Sequence, residues 1–181
     1  MSVFATFLRG VNMAGHCKIK MTDLSKLYRK LGYKNAVTYI QSGNVVLSSQ
    51  ESAEMIASKI EKGIMDEFGY TVPVMIRSVG EFEKIYRLNP FISENDFDPA
   101  KSSVIFLNSE PDQIQISKMA GVDYPPDRFF IIGKEIFIYC PNGFGRTKLY
   151  TNFFEARMKV TGTARNWKTV EAINEMILNF K

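Results

Sequence analysis

The sequence predicts an α+β protein made of two similar halves packed as one compact unit. Three observations carry that reading. Apolar and turn segments over residues 1–90 run strand, helix, strand, strand, helix, strand, with a short helix after them. The order restarts over 91–181 as βαββα with a C-terminal helix. No polar linker or low-complexity tract separates the two. The first order is the split βαβ of ferredoxin-like folds, and the two halves are expected to be two such βαββα(β) units.

Val3 to Leu8 is short, apolar and aromatic, as a buried strand is. After a glycine-punctuated stretch from Arg9 to Lys20, Leu24, Leu27, Tyr28 and Leu31 recur at helical spacing, with Thr22 placed to cap the helix and Gly32 to stop it. Val37–Gln41 and Val45–Ser48 flank Ser42-Gly43-Asn44, a hairpin signal. Ile56, Ile60 and Ile64 place a helix from about Ser52 to Phe68, ended by Gly69. Thr71 to Arg77 follows as an edge strand, because Pro73 cannot donate to a ladder. Ser78 and Glu81 have capping-box spacing for a helix that ends before Asn89-Pro90.

In the second half, residues 91–100 read as a loop and Ser103–Leu107 as a strand. Ser109 is expected to cap a helix from Glu110 to Ala120. Arg128–Ile132 and Glu135–Tyr139 pair around Gly133-Lys134. A helix is expected from Lys148 through Val160, and another from Trp167 to Phe180 with Trp167 in the core. Thr161 to Asn166 carries no clear strand pattern. Identity between the halves is negligible, so the repeat is one of element order alone.

Composition narrows the chemistry. Of 181 residues, 45% are hydrophobic, 23% charged and 13% aromatic, which excludes a disordered chain. No apolar run approaches the ~18 residues of a membrane span. Two cysteines and no signal-peptide pattern imply a reducing, cytoplasmic setting. One histidine removes zinc sites that need several imidazoles, and no metal or cofactor is expected. The net charge of +4 is unevenly spread: +6 lies between Arg9 and Lys34 and +5 between Phe144 and Lys168, leaving −7 elsewhere. Two basic segments that meet in one cleft would focus an anion; two that do not are ordinary solvated surface.

Two glycine turns carry the candidate sites. Gly10 to Cys17 has the glycine spacing of a P-loop, but His16 and Cys17 stand where Lys and Ser or Thr are required, which rules out nucleoside triphosphatase chemistry. What survives is a loop of backbone N–H groups surrounded by Arg9, Asn12, Lys18 and Lys20, or a purely structural turn. Gly143-Phe144-Gly145-Arg146-Thr147-Lys148 starts like a dinucleotide fingerprint, with Lys148 in place of the third glycine. The turn leads into the helix expected from Lys148, so Arg146 and Lys148 are expected at a positive helix end, where cations cost stability unless an anion arrives. Cys17 beside His16 lacks an orienting third group for nucleophilic work, and Cys140 reads as a small buried hydrophobe. Glu94, Asp96 and Asp98 read as solvated surface acids. The basic-Gly-aromatic block of RNA-binding ferredoxin-like domains is absent from both hairpins.

Three blocks carry a resemblance: Leu8-Arg9-Gly10-Val11-Asn12-Met13-Ala14-Gly15, Lys18-Ile19-Lys20-Met21, and Tyr39-Ile40-Gln41-Ser42-Gly43-Asn44-Val45-Val46. With Asn89-Pro90-Phe91, the Gly143–Leu149 turn and Thr163-Ala164-Arg165-Asn166-Trp167-Lys168-Thr169-Val170, they resemble the bacterial "domain of unknown function 1697" family over essentially the whole chain. The resemblance implies a two-part α+β protein of bacterial cytoplasm with no established activity and no catalytic residue to carry over. Its blocks place Arg, Asn, Gln and Lys at turns, where a polar ligand would use them. The candidate ligand-binding residues are therefore Arg9, Asn12, Lys18, Lys20, Gln41, Asn44, Arg146, Thr147, Lys148, Arg165 and Asn166. The expectation is a non-enzymatic module for nucleic acid or a phosphorylated small molecule. An enzyme acting on a phosphorylated or nucleotide-like substrate, and a protein-interaction scaffold, are the alternatives. Arg9 and Arg165 cross-linking the halves, with Asn12 and Asn44 satisfying turns, is the structural alternative. Oligomeric state is left open.

Overall fold

In the first half, Ser2–Leu8 (β1), Met21–Lys30 (α1), Val37–Tyr39 (β2), Asn44–Ser49 (β3), Ala53–Phe68 (α2) and Val74–Ser78 (β4) follow the βαββαβ order, and Val79–Leu88 (α3) comes next. The computed structural model describes residues 1–13, 15 and 17–180. Its strands form one antiparallel sheet in the order β2-β3-β1-β4, so β4 is the edge strand that Pro73 predicts. The second half repeats the plan with Ser102–Leu107 (β5), Gln113–Ser117 (α4), Arg128–Ile132 (β6), Glu135–Tyr139 (β7), Thr151–Met158 (α5) and Gly162–Asn166 (β8), followed by Trp167–Leu178 (α6). Its sheet order, β6-β7-β5-β8, is the first sheet's order again, with every neighbour antiparallel. By its contacts the chain divides into two units, Met1–Lys84 with the segment from Ile173 onward, and Ile85–Ala172.

Each sheet buries one face under its own helices. In the first unit Leu24, Leu27 and Tyr28 of α1 and Ile56, Ile60 and Ile64 of α2 pack on Leu8, Val45, Leu47 and Val74. Each such side chain contributes roughly 1.5–3 kcal/mol on burial. Thr6 Oγ1 and Tyr28 Oη share a hydrogen bond of 2.9 Å inside this core, and burial raises the phenol's pKa. Gly43 is required where it stands. Its φ is +71°, and a Cβ there would lie 2.8 Å from Leu8 Cβ. In the second unit Phe154 and Met158 of α5 cover Ile105, Leu107, Ile136 and Ile138.

Five elements differ from expectation. β8 is a full strand, missed because the polar Arg165 sits on its buried side and interrupts the apolar alternation. Helix α4 starts at Gln113, with the Asp112 carboxylate accepting from Ile114 N, because Pro111 disfavours helical backbone at Glu110. Helix α1 starts one residue before Thr22, with Lys20 in the capping position. Helix α5 starts at Thr151, three residues after Lys148. The second hairpin has the predicted bounds, whereas β2 stops at Tyr39 because Ile40 turns to φ +46°.

A pocket walled by the Gly143–Lys148 turn

The turn after β7 is shaped by its glycines. Gly143 takes φ +78°, and its N–H donates to Cys140 O at 2.8 Å. Phe144–Arg146 then makes a single 3₁₀ turn. Thr147 faces inward and is buried, while its neighbours Arg146 and Lys148 are exposed. Thr147 Oγ1 accepts from Leu149 N at 3.1 Å. That local bond competes with helix formation and delays α5 to Thr151. Arg146 and Lys148 are therefore not at the N-terminus of α5, and the helix end does not penalise these two cations as the sequence predicts.

A second loop faces the turn. Asp127 N donates to Tyr124 O at 2.8 Å, closing Tyr124–Asp127 around Pro125 and Pro126. The two loops enclose an open pocket of 810 Å³, lined by these four residues and by Asn142, Gly143, Gly145, Arg146, Thr147 and Lys148. Lys148 Nζ lies 5.4 Å from the centre of the Tyr124 ring, which is packed edge-to-face on Phe153 at 5.6 Å. The aromatic wall is thus fixed from behind and carries a cation in front. Burial is the main reason the Cys140 thiol's pKa is pushed up to about 11, with the nearby Asp127 carboxylate also raising it. Cys140 is the buried hydrophobe expected, not a nucleophile. The pocket offers two cations, one carboxylate, one carboxamide and a rigid aromatic face.

The glycine loop of the first unit is built differently. Asn12 Nδ2 donates to Ile19 O and to Gln41 O, both at 2.8 Å, and Asn12 Oδ1 accepts from Ile19 N at 2.9 Å. The structure brings Asn12 and Gln41 together, and it uses the carboxamide of Asn12 as a staple between two turns. Asn44 is buried and donates to Tyr39 O and Ser42 Oγ. These are the turn-satisfying roles of the structural alternative, since polar atoms already bonded inside the fold are not presented to a ligand. Lys18, Lys20 and the Gln41 side chain are exposed, and Arg9 is half-buried with its N–H donating to Pro73 O. Cys17 is half-buried with φ +45°, and His16 lies outside the described residues.

Arg165 and Asn166 also serve the fold. Arg165 is buried in β8, and its Nη1 donates to Thr163 Oγ1 and Ala164 O at 2.7 and 2.8 Å. Desolvation pushes its pKa down to about 10, so it stays charged at neutral pH. Asn166 Oδ1 accepts from Thr169 N and caps α6. Glu94, read from sequence as a solvated acid, forms a two-point pair with Arg128 at 2.8 and 2.6 Å. Of the residues named from sequence, Arg146, Thr147 and Lys148 share the pocket.

Residues 1–137 match the family described as protein of unknown function, DUF1697. The chain belongs to this family. Among solved structures it is similar to the conserved bacterial protein SP0830 from Streptococcus pneumoniae, with a TM-score of 0.78 and 22% identity over 97% of this chain and 98% of that one. At that identity the likeness establishes the fold. No curated protein matches the chain. The pocket-walling turn lies beyond the segment matched to the DUF1697 family, so its chemistry rests on its own geometry. Sequence reasoning missed Tyr124, Asp127 and Asn142. The usable signal was Tyr124-Pro125-Pro126-Asp127, an aromatic and an acid bracketing a rigid turn just before a strand.

Proposed function

We propose that this DUF1697 protein is a non-enzymatic binding module whose pocket at the Gly143–Lys148 turn takes a compact phosphate-bearing anion. One observation carries the reading: two loops wall a single 810 Å³ pocket, and its cations are Arg146 and Lys148, both exposed and both on the glycine turn. Guanidinium and ammonium groups together suit a phosphate, which accepts forked and point donors alike. A small molecule is favoured over nucleic acid, because Asp127 on the facing loop would repel a continuous polyanion. The same carboxylate favours turnover of a phosphate ester as the second reading. The two free thiols support a reducing, cytoplasmic setting.

Thermal unfolding with inorganic phosphate tests this. A ligand at ten times its Kd stabilises by about 1.4 kcal/mol, which raises the melting temperature of a protein this size by about 3–6 °C. The shift is expected to vanish in Arg146→Ala/Lys148→Ala, and its dependence on salt is expected to be shallow, as for one phosphate contact. No shift with phosphate or any phosphate ester overturns the reading. A steep salt slope points to nucleic acid, and release of phosphate from an ester that depends on Asp127 points to an enzyme.

A further inference from the structure

Each sheet has two edge strands, and β2, β4 and β8 are blunted as edges. β2 is only three residues long. β4 follows Pro73, and the N–H of its first residue, Val74, donates to the Glu61 carboxylate at 2.8 Å. β8 is closed in the same way, with Gly162 N donating to Glu155 Oε1 at 2.8 Å. Among the described residues, β6 carries no such guard. It reads Arg128-Phe129-Phe130-Ile131-Ile132, five residues without proline or lysine. Its one charge, Arg128, is held by Glu94 at 2.8 and 2.6 Å, and Phe130 is 48% exposed. An apolar edge of this kind is a template for another strand.

The hairpin register decides which groups that template offers. Gly133-Lys134 is a two-residue turn, so Ile132 and Glu135 form a hydrogen-bonded pair, as do Phe130 with Phe137 and Arg128 with Tyr139. The N–H and C=O of Phe129 and Ile131 therefore point away from β7, out of the sheet edge. A second β6, antiparallel about a two-fold axis at Phe130, sets Phe129 opposite Ile131 and engages all of these groups on both copies. A register centred on Phe129 or Ile131 sets one of them against a residue outside β6. At the axis Phe130 meets its own copy as the close, non-hydrogen-bonded pair. Phe129 and Ile131 lie on the other sheet face, at the margin of the core that holds Met119. A space of 310 Å³ opens there between Met119, Val122 and Phe129, and Ile131 of the second copy arrives beside it. The Gly133-Lys134 turn of each copy arrives at the Tyr124–Asp127 turn of the other, which sets Lys134 against the Asp127 carboxylate, twice by symmetry.

We propose that this protein pairs with a second copy of itself through β6, joining two sheets of the β6-β7-β5-β8 kind into one continuous antiparallel sheet with Phe130 on the two-fold axis. The symmetry closes the edge it uses, so pairing stops at the dimer.

Analytical ultracentrifugation of the full chain tests it, with a species of twice the 20.6 kDa monomer mass expected as concentration rises. Phe130→Lys and Phe130→Glu each set like charges directly opposite one another, and each is expected to weaken pairing by about tenfold or more. Mixing the two variants in equal amounts is expected to restore the dimer, because lysine then faces glutamate; a variant that had merely failed to fold would not be rescued. The register is read by cross-linking. With Cys17→Ser removing the half-buried native thiol, Phe130→Cys is expected to form a disulfide between copies on oxidation, since opposed Cβ atoms lie about 4.5–5.5 Å apart. Ile132→Cys, which faces Arg128 of the other copy, is expected to form none. A monomer at all concentrations up to about 100 μM overturns the proposal. A dimer that tolerates both charges, a mixture that stays monomeric, or cross-linking through Ile132→Cys in place of Phe130→Cys overturns the β6 seam.

Discussion

Arg77 and Arg165 occupy the same position in the two halves. Arg77 lies in β4 opposite Ala5 of β1, and Arg165 lies in β8 opposite Val104 of β5. Both are buried, and each donates from Nη1 to the carbonyl of the residue before it, Ile76 or Ala164, at 2.8 Å. The equivalence continues along the chain. The next residue in each case caps the following helix, Ser78 through its box with Glu81 and Asn166 through Thr169 N. A duplication that is invisible as sequence identity is thus preserved in strand register, in a buried cation and in a cap.

Arg77→Ala and Arg165→Ala are each expected to destabilise the protein by on the order of 3 kcal/mol, because each removes charge-assisted hydrogen bonds and leaves buried acceptors behind. Arg146→Ala, at an exposed position, is expected to cost less than about 0.5 kcal/mol. Urea unfolding midpoints of the three variants decide the matter. Equal losses at all three positions would show that burial of the two strand arginines is not what distinguishes them.

Asn12→Asp separates the structural role of the first glycine loop from a ligand-binding one. The aspartate keeps the acceptor for Ile19 N but loses both donations, to Ile19 O and Gln41 O. A loss of about 2 kcal/mol in stability is expected, two hydrogen bonds at roughly 1 kcal/mol each. Phosphate affinity at the Gly143–Lys148 turn is expected to be unchanged. A variant with full stability and impaired binding would reassign Asn12 to the ligand.

Acid stability has a contributor in Glu94. The hydrogen bonds from Arg128 hold its carboxyl below the ordinary carboxylate range. A lowered native pKa means that the unfolded chain takes up the proton first. The pair therefore stabilises the fold above the ordinary value of about 4.5, and the gain is lost as pH falls through the native one. Melting temperatures between pH 6 and pH 3 are expected to fall less steeply in Glu94→Gln than in the unaltered protein. Parallel curves would remove Glu94 from the account. The effect is modest, since Arg128 is about half exposed and solvent screens the pair.

Local signals in the chain were enough for most of the architecture. The run Arg128–Ile132, Gly133-Lys134, Glu135–Tyr139 states its hairpin outright, and Ser52 with Gly69 brackets α2. Caps, turn glycines and apolar spacing act over a few residues, so they survive in a single sequence. The basic turn at Arg146, Thr147 and Lys148 was readable for the same reason, as charge on a glycine loop. What escaped was long-range. β8 owes its place to pairing with β5 some 60 residues earlier, and its buried Arg165 hides the apolar rhythm. Asn12 looked available until the fold supplied Ile19 and Gln41 as its partners. Tyr124 and Asp127 became pocket walls because the strand pairing of β6 with β7 carries their loop to the turn after β7. Spacing along the chain carries information about neighbours in sequence; a binding surface is made from neighbours in space, and the sheet register assigns those.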